Sequence, residues 1–434
     1  MKRIIILCLI LSLFLACVPT PEKEPIAQKG SDTRKTVPFA SLDLPEHIHA
    51  DAGELGDAHL SIDADVVLPE NAAFGVSEVR EGRFDRESVT KMLEYFAEGR
   101  PLYLCWEDNK AEIYQKLLDF EAVADEENEM DMMLLKYLRE AFESAPQEVE
   151  HIPFSLETAE PSEALCSLYA EGADGKSFLS FTDTQFLYSR DSTVEVTPES
   201  GIAPEDPLER QTPRISRADA EKAAEELIEA LHIEHVGLLE DQVEECVFFR
   251  MNRTVEWGYR FIFTPVIGNI PCCWLDSGVA IESIPPSVGA PWNCEWIDVY
   301  VGQGGVMKFV RSFPATYGEP DARDAFVLFD EMQNLVRNQL LYMYSANASQ
   351  AQSISNLDSQ IKLDVTVDRI KLIRGTIQKK DDRSVGLNVP LWEVRYTVRF
   401  QDGAELSQSI CFDASDGTYV EPRLSYKDIA ALWR

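Results

Sequence analysis

The stretch ISRADAEKAAEELIEAL, residues 215–231, decides how the rest of the chain is read. Ser216 stands where a helix N-cap accepts a hydrogen bond from the backbone three residues on. Asp219 occupies that third position, close to a capping box. Ala220, Ala223, Ala224, Leu227, Ile228 and Leu231 recur at three- and four-residue steps and form one apolar stripe. Strand-like runs follow at 243–251, 257–266, 270–284, 296–301 and 306–313. Gly258, Gly268-Asn269 and the GQGG of 302–305 fall where turns are needed. A helix followed by an antiparallel meander lets a sheet bury one face on its own helix.

The same order recurs downstream. Residues 326–344 read as a helix whose stripe is Phe329, Met332, Leu335, Val336, Leu340 and Tyr344, and strands follow at 361–378, 391–400 and 406–412. Upstream, strand, helix and strand signals alternate. Residues 60–69 alternate like a strand stopped by Pro69. Residues 84–96 read as a helix capped by Asp85 or Ser88, and 113–118 is of mixed character. Residues 130–142 read as a helix with Met133, Leu134, Tyr137, Leu138 and Phe142 inward, and 165–187 as two short strands. The segment 191–212, rich in Pro, Glu, Ser and Asp, reads as a linker. The expected fold class is α+β, with an N-terminal α+β domain (37–207) followed by two tandem helix-plus-meander modules (214–318 and 320–424).

Length agrees with several domains, because 434 residues exceed one ordinary core. With 45% hydrophobic and 26% charged residues the chain is globular in composition. Its 75 acidic side chains against 40 basic ones give a net charge of −35. That balance argues against nucleic acid as a partner, since binding phosphates needs a basic surface. It also argues against adhesion to an anionic lipid surface by charge alone.

The first twenty residues predict location. Lys2 and Arg3 precede twelve nearly continuous apolar residues, Ile4 to Leu15. That is short for a transmembrane helix, which needs about 20 residues, and right for a signal-peptide core. The run ends in FLAC, residues 14–17, which resembles a bacterial lipobox. There a small residue precedes a cysteine that is lipidated and becomes the mature N-terminus. Phe14 departs from the usual leucine. The expectation is a signal peptide over 1–16, a lipid on Cys17, and a disordered tether over 17–36 reaching roughly 25 Å. Loss of Lys2 and Arg3 takes the charge to −37, so the acyl chains, at about 0.8 kcal/mol per buried methylene, do the holding.

Seven cysteines remain after Cys8 and Cys17, namely Cys105, Cys166, Cys246, Cys272, Cys273, Cys294 and Cys411. The number is odd and no zinc spacing occurs. Most lie in apolar contexts and read as small buried hydrophobes, with one or two disulfides left open. His47, His49 and His59, with Asp51 and Asp57, have metal-ligand residue types and are the weak metal candidates; no metal or other cofactor is expected. His232 and His235 fit no zinc hydrolase spacing and fall at a helix end. The acidic run 125–131 and the DASDG of 413–417 read as a solvated helix start and a turn before they read as calcium loops. No nucleophile elbow, Walker A loop or dinucleotide fingerprint occurs. Trp292 and Trp296, behind the Pro-rich loop 285–291, are the candidate partner-binding residues, against a reading in which both pack onto a sheet.

Several stretches together resemble an uncharacterised family of lipoproteins from gut Firmicutes. They are DADVVLP at 63–69, residues 215–231, GYRFIFT at 258–264, PWNCEW at 291–296 and VPLW at 389–392. The resemblance implies an anchored envelope protein and carries no catalytic residues. The helix-then-meander units are also similar in architecture to peptidase propeptide modules, which bind or inhibit partner proteins. The reading is therefore a non-enzymatic lipoprotein on the extracytoplasmic face of the cell membrane, binding or regulating another envelope protein. The alternatives are an envelope hydrolase with a site assembled from distant residues, and a solute-binding lipoprotein.

Overall fold

A computed structural model describes residues 35–420 apart from 56–57, 70–73, 105–107, 123, 125–128, 173–174, 191–193, 199–213, 251–252, 274–291, 293–294, 322–324, 356–362, 380–381, 383, 401–402 and 404. The signal peptide and nearly all of the tether lie outside that range, as do Cys17, Cys105 and Cys294. Five helices occur among the described residues: α1 (Arg86–Ala97), α2 (Lys110–Glu121), α3 (Glu129–Ser144), α4 (Arg217–Ala230) and α5 (Phe329–Ser355). Together with mixed sheets they make an α+β fold.

The helix of 215–231 forms as its sequence dictates. The Ser216 hydroxyl accepts from the Asp219 backbone N–H at 3.1 Å and donates to the Asp219 carboxylate at 2.6 Å. Ala220, Ala224, Leu227, Ile228 and Leu231 are buried. In α1, Asp85 is the cap, accepting from the Ser88 N–H at 2.7 Å. The mixed signal at 113–118 resolves into α2, because Asn109 and Glu112 close a reciprocal capping box ahead of it.

The chain divides into two compact units that interleave in sequence. One comprises residues 82–265 and 295–314, the other residues 1–81, 266–294 and 315–434. The first, unit A, carries an antiparallel sheet. Its strand order is 194–198, 244–250, 253–267, 296–302, 305–312, 185–189, 175–181, 166–172, 102–104, 152–154. Helices α1 and α4 cover one face. Val89, Leu93 and Phe96 of α1 and Ala224, Leu227 and Ile228 of α4 bury against Phe186, Phe261, Val299 and Phe309. The Phe96 ring stacks on Tyr188 with centroids 4.1 Å apart. Each fully buried large side chain of this kind contributes about 1.5–3 kcal/mol.

The second, unit B, has the strand order 315–317, 77–81, 385–400, 363–378, 58–67, 47–55, with 405–413 also on 385–400. Strands 58–67 and 363–378 run parallel; Leu363 pairs with Ala58. Helix α5 covers this sheet through Phe329, Met332, Val336 and Leu340, and Trp392 is wholly buried beside Phe329.

The first expected meander lacks its strand 270–284, since 253–267 pairs directly with 296–302 and 274–284 lies outside the described residues; otherwise both meanders, 244–250 to 305–312 and 363–378 to 405–413, are present. The three consecutive domains are not. Residues 308–312 of strand 305–312 pair with 185–189, so the supposed module 214–318 and the strands of the supposed N-terminal domain form one sheet. The strands at 47–67, assigned to that N-terminal domain, join the sheet of the supposed second module. The cause is the open edge that each meander leaves, which must be paired or covered. Part of the expected linker is itself a strand, since 194–198 pairs with 246–250; residues 199–212 lie outside the described residues.

Two turn expectations divide. Gly268 and Asn269 both have positive φ, +59° and +64°, as a two-residue type I′ hairpin requires. Gly258 is no turn. It lies within strand 253–267, where a Cβ would stand 2.1 Å from the Val301 carbonyl oxygen.

Candidate functional site

Strand 47–55 alternates polar and apolar residues, so His47, His49 and Asp51 share one exposed face beside Asp63 and Asp65 of strand 58–67. The His47 ring is held from both sides. Its Nδ1 is 2.9 Å from Asp65 and its Nε2 is 3.0 Å from Asp63. Two carboxylates on two ring nitrogens favour the imidazolium and raise its pKa, Asp65 most. His49 Nδ1 lies 3.2 Å from Asp63, and these two histidines hold the Asp63 carboxyl below its ordinary range.

His59 does not join them. It lies 3.5 Å from both Asp51 and Asp364, at the other end of the ladder. The expected grouping of His47, His49 and His59 is thus corrected, because the strand pairing sets His47 and His49 together on Asp63 and leaves His59 beside Asp51 and Asp364. Among the described residues no three His, Cys, Asp or Glu side chains are arranged to hold a metal ion. Asp57 lies outside the described residues.

The tryptophan pair separates too. Trp292 belongs to unit B and Trp296 to unit A. Trp292 is buried, its backbone N–H donating to the Thr376 carbonyl at 3.1 Å. Its indole occupies space that a Cβ at Gly386 would invade to 2.7 Å. It therefore packs in a core and offers no exposed anchor to a partner. Trp296 is half-buried at the start of strand 296–302, opposite Ser312.

His232 and His235 mark the end of α4. The Ile233 N–H donates to the Ile228 carbonyl at 3.1 Å and the His232 N–H to that of Glu229 at 2.9 Å. This is a Schellman motif with His232 in the left-handed position that glycine usually fills. Its φ is +53° and that of His235 is +59°. Of the two acidic runs, 125–128 lies outside the described residues, and Asp413 caps a turn by accepting from the Ser415 N–H at 2.8 Å. Burial pushes the Cys246 thiol up to about 12 and that of Cys272 to about 11, so both behave as buried hydrophobes.

The surface that the sequence does not announce is the hairpin of α2 and α3. Its small core is Leu117, Phe120, Leu135 and Leu138. The expected inward face of α3 is therefore rotated. Met133 and Tyr137 are 63% and 64% exposed, and Leu134 is exposed as well. On α2, Tyr114 and Leu118 are exposed one turn apart. The signal was present. Residues 132–135 are four apolar residues in a row, more than one buried helix face accepts. Arg139 ties the helices together at 2.8 Å from Glu121.

No family model matches the chain, and no curated protein matches it. Among solved structures it is similar to an uncharacterized protein from Eubacterium rectale. The identity is 13% and the TM-score 0.44, over 87% of this chain and 94% of that one. No described helix is long and apolar enough to cross a membrane.

Proposed function

We propose that the protein is a lipoprotein held on the extracytoplasmic face of the cell membrane by acyl chains on Cys17, and that its role there is non-catalytic binding or regulation of another envelope protein. The observation that carries the reading is the leader, with Lys2 and Arg3, a twelve-residue apolar core and Ala16-Cys17 at its end. The binding role draws support from the exposed Tyr114, Leu118, Met133, Leu134 and Tyr137 of the α2–α3 hairpin. Methionine-rich and aromatic helix faces adapt to partner surfaces. Labelling cells with radioactive palmitate tests the anchor. The wild-type protein takes up label and sediments with membranes, and Cys17→Ser loses both properties. Equal labelling of the two proteins defeats the proposal.

A further inference from the structure

The Schellman end of α4 opens onto a cavity of about 500 Å³ in unit A, within the size range of small-molecule pockets. Its floor is apolar, formed by Ile228, Leu238 and Phe263. Ile228 and Phe263 are buried members of the sheet-and-helix core, and Leu238 packs against it. Its polar lining is mainly acidic, with Glu225 and Glu229 one turn apart on α4, Glu234 just beyond the helix, and His232 the single imidazole among them.

This charge is placed against the grain of the helix. Carboxylates four residues apart repel, and the carbonyl end of a helix disfavours anions. The last turn of α4 contains no basic residue. The helix's own cations go elsewhere, Lys222 to Glu226 at 3.6 Å and Arg217 to Glu240 at 3.0 Å. Among the described residues neither Glu225 nor Glu229 has a basic partner; Glu234 approaches only His235, at 3.9 Å. Where local preference is violated without internal compensation, a ligand is the natural compensator.

We propose that this cavity binds a small organic cation, an ammonium group carried on an apolar body. The body fills the floor over Phe263 and Ile228, and the ammonium sits among Glu225, Glu229 and Glu234. The chain's net charge of −35 draws cations to the site and repels anions. The site does not depend on the lipid anchor, so its failure leaves the envelope reading standing, and loss of the anchor leaves the site intact.

Calorimetric titration of the full-length protein with 3-phenylpropylammonium tests it, with 3-phenylpropanol and 3-phenylpropionate as probes of the same body. Saturable binding of the ammonium is expected, at least tenfold weaker for the alcohol and undetectable for the carboxylate. The variant Glu225→Gln/Glu229→Gln/Glu234→Gln removes mutually repelling surface charge and only the exposed Glu234–His235 contact, so it folds, and it loses at least tenfold in affinity. Leu238→Trp fills the cavity and abolishes binding while keeping all 75 acidic residues. Equal affinity for ammonium and alcohol overturns the proposal. So does undiminished binding to either variant, which would mark general attraction to an acidic surface, and so does absence of saturable binding.

Discussion

His47 shows what a single residue can report. With Asp65 and Asp63 on its two ring nitrogens, its folded pKa stands above the ordinary 6.5. The interaction therefore stabilises the fold fully below pH 6.5 while Asp63 and Asp65 stay ionised, and fades as pH rises through the raised value. A proton NMR titration should show the His47 ring titrating above pH 6.5, and Asp65→Asn should bring it back toward that value. An unshifted ring would break the pairing. Gly258 reports on packing. A methyl at Gly258 would collide with the Val301 carbonyl, where no side chain can move aside. Gly258→Ala should lower stability by about 1–3 kcal/mol or more in denaturant unfolding, and an unchanged midpoint would mean the strands lie further apart.

At the scale of elements, legibility in the sequence followed the kind of force that builds each one. Helix α4 was readable because its cap and its stripe are local and agree with each other. The phase of α3 was not. Leu138 lies inward as expected, but the run of apolar residues surrounds the helix, and only the partner α2 decides that Leu135 turns inward in place of Met133, Leu134 and Tyr137. The two readings of Trp292, partner anchor or packed side chain, could not be separated in the sequence for the same reason, since nothing local says that Gly386 makes room for it. The rotated α3 makes a paired prediction. Phe120→Ala, which empties the hairpin core, should cost about 3–5 kcal/mol. Met133→Ser, on the exposed side, should stay within about 0.5 kcal/mol. Chemical denaturation of both variants checks it, and a large loss for Met133→Ser would restore the inward reading of that residue.

At the scale of the whole molecule, the two interleaved units follow from pairings between strands far apart in sequence. Periodicity marks a strand and gives no address for its partner, so hairpins and meanders could be read while the closure of each sheet could not. The pairing of 305–312 with 185–189 has a testable cost. A fragment comprising 214–318 keeps its helix and its meander and loses the neighbour of its last strand. It should lack dispersed amide NMR signals, and a well-dispersed spectrum would show that the module stands alone.

Strand 58–67 has its parallel partner in 363–378. A ribosome delivers the amino-terminal strand first and the other only after some 305 further residues, the separation of Ala58 from Leu363. At 5–20 residues per second that interval is roughly 15–60 s. Through it the early strand carries Leu60, Ile62 and Ala64 with only the neighbouring strand 47–55 to pair with. All of unit A has by then been synthesised, so maturation should run from the middle of the chain outward. The nascent amino-terminal strand would be the point most dependent on a chaperone.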